Sequence, residues 1–214
     1  MRSVFLGIVC LLMLFSCSPK AYFKTSNDAK EMYGVVYMDD GQVKKGFITV
    51  SFENIHERDN EIIFKTDKDA ANESLDVKEI SYYTINGHTY LPKIINLHLS
   101  NEYHYLFVER LTAERDKMQL YKLIPSANTN FAGEEPSYYY ISFPSFTKYE
   151  VIDINSSKLV PEFDIKMSNY IKDCAALVTK VQLKDKGYYY ALFSLGAKRV
   201  EVIKNIVKEY NNCQ

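Results

Sequence analysis

Four histidines, four cysteines and two runs of three tyrosines carry most of the side chains that could do chemistry in this chain. His98 and His104 lie an even number of positions apart. In one strand they would face one side and, with Glu102 and Glu109, offer the imidazole and carboxylate ligands of a weak metal site. A turn at Ser100-Asn101 between them breaks that parity and makes them rim histidines instead. His56-Glu57-Arg58-Asp59 reads as a charged turn, and His88 follows Asn86-Gly87 as a hairpin flank. Asp39-Asp40-Gly41 is acidic, but Lys44 and Lys45 follow where a calcium loop needs further oxygen ligands. There is no G-x-S-x-G elbow, no H-E-x-x-H, no paired C-x-x-C and no Gly-rich phosphate loop. No metal or organic cofactor is expected. A hydrolase built on two carboxylates has no short signature, so it stands as the enzymatic alternative, with or without a weakly bound metal.

Tyr138-Tyr139-Tyr140 and Tyr188-Tyr189-Tyr190 would put aromatics on both sides of an extended chain. Exposed rings of this kind bind sugars, peptides or partner proteins, because the face is apolar and the rim polar. Tyrosine equally suits strands and the margins of a core. The absence of tryptophan argues against a carbohydrate platform in particular.

The N-terminus places the rest. Arg2 precedes an almost unbroken apolar run from Val4 to Phe15, too short for a membrane span, which needs about 20 apolar residues. A charge, a short apolar run and a small residue describe a cleaved signal peptide over 1–16. Leu14-Phe15-Ser16-Cys17 resembles the lipobox of bacterial lipoproteins, with Phe15 bulky for its position. The resemblance implies cleavage before Cys17 and a lipid on its sulfur, an anchor to the outer membrane with the domain facing the periplasm. An ordinary signal peptide, with Cys17 incidental, is the alternative. With Cys10 discarded and Cys17 acylated, Cys174 and Cys213 remain as a pair, and an oxidising compartment favours one disulfide between them over two free thiols.

These groups need a scaffold. Eighteen tyrosines, twelve phenylalanines, eight glycines and six prolines describe a folded, β-rich chain rather than a disordered one. With 26 basic and 27 acidic residues and no long run of one sign, nothing points to nucleic acid. A polar tether over 17–30 leads into an antiparallel β domain over 31–160. Asp39-Asp40-Gly41 and Asn86-Gly87 mark hairpins, and short alternating strands follow one another with turn residues between them. Pro92 demotes its strand to an edge or a bulge. The expected fold is mainly β (α+β), an antiparallel sandwich or barrel with a helical pair over 161–214. Met167, Tyr170, Ile171, Cys174, Leu177, Val178 and Val181 form one helical stripe, and Val200, Ile203, Val207, Tyr210 and Cys213 another. That puts both cysteines on buried helix faces. Tyr188–Leu195 fits a strand or a helical turn.

The segments VERLTAERDKMQLYK, YYYISF, MSNYIKDCAALVTKV and IVKEYNNC, in this order after β-hairpins, resemble a group of small, uncharacterised envelope lipoproteins of Bacteroidetes. In that group an aspartate-cysteine pair opens a helix and a Tyr-Asn-x-x-Cys ending closes the chain. Asp173, Cys174, Tyr210, Asn211 and Cys213 correspond to it here, with one residue instead of two between Asn211 and Cys213 and with Ala175 in place of the usual proline. The resemblance implies a lipoprotein or secreted β domain with a helical tail and no known activity. The expectation is therefore a non-enzymatic binding or structural module with a membrane and an envelope protein as partners. A small-ligand carrier, which needs an open lumen, is a further alternative.

Overall fold

A computed structural model describes residues 21–51, 61–96, 103–124 and 137–213. The signal segment with Cys17, the charged turn at 56–59, His98, Glu102 and residues 126–136 of the expected loop lie outside the described residues. The strands are β1 (Tyr22–Thr25), β2 (Asp28–Met38), β3 (Val43–Val50), β4 (Glu61–Lys65), β5 (Glu73–Asp76), β6 (Ile80–Ile85), β7 (His88–Asn96), β8 (Tyr103–Arg110), β9 (Gln119–Leu123), β10 (Tyr138–Ser142) and β11 (Ile152–Asp153). All belong to one antiparallel sheet, with β1 added to β2 and the order β11-β10-β9-β8-β7-β6-β2-β3-β4-β5. It is mainly β, as expected, but it is not closed into a barrel.

Two turns fix the register. Gly41 (φ 86°) ends the β2–β3 turn, and Asn86 and Gly87 (φ 53° and 81°) make the β6–β7 turn, so that Val36 faces Lys44 and Thr84 faces Thr89. The β5–β6 connection decides the shape. In a flat sheet β5 and β6 would stand four strands apart, about 19 Å. Only Val77–Glu79, a 3-10 turn capped by the Asp76 side chain, joins them, and such a link reaches no more than about 14 Å. The sheet must curl. Gly34 and Gly46 face each other across β2 and β3 inside that curl. A Cβ on Gly34 would meet the Thr84 carbonyl, and one on Gly46 the Lys65 carbonyl, so both positions depend on a missing side chain.

The curl encloses a core of Val36, Ile48, Ile62, Phe64, Tyr83, Tyr90 and Phe107. The next strand face serves a second core: Phe107 of β8 points into the first, whereas Leu106 and Val108 point into the other with Ile95, Tyr121, Leu123 and Tyr140. The chain after β10 crosses back to β7, where the Ile94 N–H donates to the Tyr149 carbonyl at 3.0 Å. That bond leaves β7 on the side away from β8. Two residues earlier, Pro92 would have aimed its missing N–H to the same side, beyond the last β6 pair at Tyr90. Pro92 therefore removes no ladder bond, and its strand lies inside the sheet rather than at the expected edge.

The expected tether over 17–30 is also revised. From Tyr22 onward it is sheet, and Thr25, Ser26 and Asn27 are buried. Asn27 explains this. Its amide donates to the Phe107 carbonyl at 2.9 Å and its carbonyl accepts the Phe107 N–H at 2.8 Å, so a side chain stands in for a neighbouring strand.

The tail forms three helices rather than two: α1 (Phe163–Tyr170), α2 (Ala175–Gln182) and α3 (Gly196–Asn211). The first expected stripe breaks at 171–174, where Asp173 accepts the Tyr210 hydroxyl at 2.7 Å and Cys174 bonds Cys213 with the sulfurs 2.04 Å apart. The cysteines thus sit at helix ends, one before α2 and one after α3, and not on helix faces. The helices cover the outer face of β9 and β10 through Leu120, Ile141, Phe143, Met167, Leu177, Ile203 and Val207, the third core.

Candidate functional site

The residues that open α3 form the most exposed apolar feature of the described chain. Past α2, Lys184 (φ 59°) and Gly187 (φ 89°) turn the chain back. Tyr188, Tyr189 and Tyr190 then lie in irregular structure rather than in a strand or helical turn. Tyr190 is wholly buried, packs on Phe163 with ring centroids 4.0 Å apart, and donates its hydroxyl to the Ile154 carbonyl at 2.6 Å. Burial pushes its phenol far above the ordinary range. Tyr188 donates to Glu209 at 2.6 Å, and Lys180 holds the same carboxylate at 2.8 Å, which keeps Glu209 below the usual carboxylate range. Tyr189 is half-buried edge-on to Phe163.

From this fixed base the chain makes a tight loop at 191–195. The Ser194 N–H donates to the Ala191 carbonyl and the Ala191 N–H to the Ser194 hydroxyl, both at 3.0 Å. Arg199 holds the loop from α3. Its guanidinium donates to the carbonyls of Leu192 and Ser194 and, at 2.8 Å, to Asn155, while lying over the Tyr190 ring. With the backbone drawn inward, the side chains point out: Phe193 is 94% exposed, Leu195 80% and Leu192 44%. Beside the loop, a cleft of about 560 Å³ opens between β10, Asn155 and the first turns of α3, with Tyr139, Ile154 and Val200 as its apolar wall and Glu201 and Lys204 at its polar side.

The tyrosines proposed for binding are thus divided by the fold. Tyr140 and Tyr190 are core residues, and Tyr138 packs against the second core. Tyr139, on the opposite face of β10, is the one that lines the cleft, with the Lys204 amine 5.9 Å from its ring centre. Leu192, Phe193 and Leu195 went unnoticed in the sequence. The available signal was composition: residues 188–197 carry no charge, between Lys186 and Lys198.

The histidines do not assemble. His88 meets Glu109 at 2.7 Å on the rim of the β6–β7 hairpin. His104 and Glu109 are an odd number of residues apart in β8 and face opposite ways. Among the described residues, no group of three or more His, Cys, Asp or Glu side chains could hold a metal. The 560 Å³ cleft and two further hollows beside α3, of about 610 and 340 Å³, are each lined by a single carboxylate, Glu201, Asp116 and Glu209 respectively. The acidic turn is committed elsewhere: Asp39 pairs with Lys148 at 2.5 Å and accepts from Ser81. Burial would raise the Asp39 carboxyl, but these partners outweigh it and hold it below the ordinary range.

Lys93, also unnoticed in the sequence, is the most unusual ionisable group. It is 4% exposed, donates to the Lys148 carbonyl at 2.5 Å and lies 4.7 Å from the Tyr121 ring centre. Burial, reinforced by the charges of Lys148 and Arg110, brings its amine down to about 8. It ties the returning segment to β7 beside the Ile94–Tyr149 bond.

Comparison with protein-family models, curated proteins and solved structures found no match for this chain.

Proposed function

We propose that this chain is a lipid-anchored envelope protein, held through Cys17 and facing the periplasm, that binds or supports another envelope component without catalysing a reaction. The loop at 191–195 carries this reading. It is fixed by Arg199 and Tyr190, yet it exposes Leu192, Phe193 and Leu195, which contribute little to the protein's own core. A rigid apolar projection next to a cleft is suited to docking, because little conformational entropy is lost on binding. The rings of Tyr83, Tyr90 and Phe107, with centroids about 5 Å apart, occupy the first curl, which supports action by the surface over carriage of a ligand inside.

A photo-reactive residue at Leu192, introduced into the full chain in its own envelope, tests this reading. A reproducible adduct, to protein or lipid, that disappears in a Cys17→Ala copy is the expected result. Absence of any adduct from a well-expressed, anchored protein would refute docking through the loop. Digestion of the domain by protease added to intact cells would refute the periplasmic placement.

A further inference from the structure

We infer that the component docked by the 191–195 loop is an anionic lipid surface, which the loop enters with Phe193 and Leu195. This deepens the docking role proposed above and rests on it. Three observations favour lipid over a protein groove.

The first is the shape of the apolar group. Phe193 and Leu195, two residues apart in one turn, are 94% and 80% exposed instead of lining a groove, so an apolar phase that receives the turn covers both. The second is the state of the backbone. Entry into hydrocarbon is costly for any polar group not already bonded. Here four of the five loop carbonyls, those of Ala191, Leu192, Ser194 and Leu195, accept hydrogen bonds, three of them from Arg199. The third is charge. Residues 188–197 are uncharged, and Lys186 and Lys198 flank them, exposed and without a carboxylate partner among the described residues. Asp185 and Glu201 are the acidic neighbours in sequence, and Lys184 is engaged with Asp164. An apolar tip between lysines matches the interfacial boundary, with acyl chains for the rings and anionic headgroups for the amines.

The chain has no tryptophan, so Phe193→Trp creates a single local reporter in place of one exposed aromatic. The full chain carrying this change is placed on vesicles of phosphatidylethanolamine and phosphatidylglycerol, and Tyr33→Trp, another exposed ring on β2, serves as the comparison site. The readout is local, so anchoring through residues 1–20 does not by itself move it. The expected result is a blue shift and severalfold stronger quenching by brominated acyl chains at position 193 than at position 33. Lys198→Ala should weaken the contact about fivefold, the effect of one lysine at an anionic surface.

Equal quenching at the two positions, or an unchanged spectrum at 193, overturns the lipid assignment. If the Leu192 cross-link then still traps a protein, docking stands and only the occupant was wrong. A blue shift that grows with protein concentration without lipid assigns the loop to a second copy and also overturns the inference.

Discussion

Single residues in this protein do the work of missing backbone. Asn27 supplies both a donor and an acceptor to Phe107 in a buried setting. Asn27→Ala leaves that N–H without this partner and is expected to cost about 2–3 kcal/mol, measured as a lowered urea midpoint with an unchanged slope. Lys93 has the opposite balance. Its amine titrates near 8 in the fold against an ordinary 10.5, so between these values the unfolded chain binds more protons and stability rises with pH. Below about 8 the penalty for the buried charge is fully present. Lys93→Met removes it but also loses the bond to Lys148, so a net gain of roughly 1–3 kcal/mol is expected at neutral pH. Paired unfolding curves should show the gain shrinking as the pH is raised from 8 toward 10.5.

At the scale of elements, the tail depends on what joins α3 to the rest. The Cys174–Cys213 bridge spans 39 positions of sequence and fastens the end of α3 to the start of α2, where Asp173 also receives the Tyr210 hydroxyl. Closing a loop of that length stabilises the fold by up to about 4 kcal/mol, and strain in the native state usually subtracts from it. A Cys174→Ser, Cys213→Ser double variant should lose about 2–4 kcal/mol. Amide exchange should rise first in the last turn of α3, where Asn211 binds the backbone of Met118 and Lys117 reaches the Cys213 carbonyl. The sheet, with its own two cores, should remain protected.

At the scale of the molecule, three cores share one sheet and the loop at 191–195 belongs to none of them. Replacing Phe193 and Leu195 together by serine should change thermal stability by less than about 0.5 kcal/mol, since neither side chain is withdrawn from water in the fold. A clear drop in the melting temperature would mean that the loop packs against the protein after all. The same substitution should reduce the Leu192 cross-link, separating a docking role from a structural one.

Local elements are legible in the spelling of the chain. Alternating residues, Asp-Gly and Asn-Gly turns and a change to helical spacing after Pro161 were enough for a β domain and a helical tail, because each rests on contacts within a few residues. The cysteine count likewise pointed to Cys174 and Cys213. The remainder depends on contacts between distant segments. Nothing in the spelling of β2 to β6 says that the sheet must curl. That follows from how far apart the ladder would place two strands joined by three residues. A run such as Tyr138–Tyr140 is the same three letters whether a ring meets the core or a cleft, and the layers on either side of β10 make the choice. Nothing beside Lys93 in the sequence marks it; the returning segment that carries the Lys148 carbonyl buries it. Phe193 and Leu195 are apolar letters like those of any core, yet the three cores are filled without them: burial is a property of what lies across the gap, and sequence neighbours do not record it.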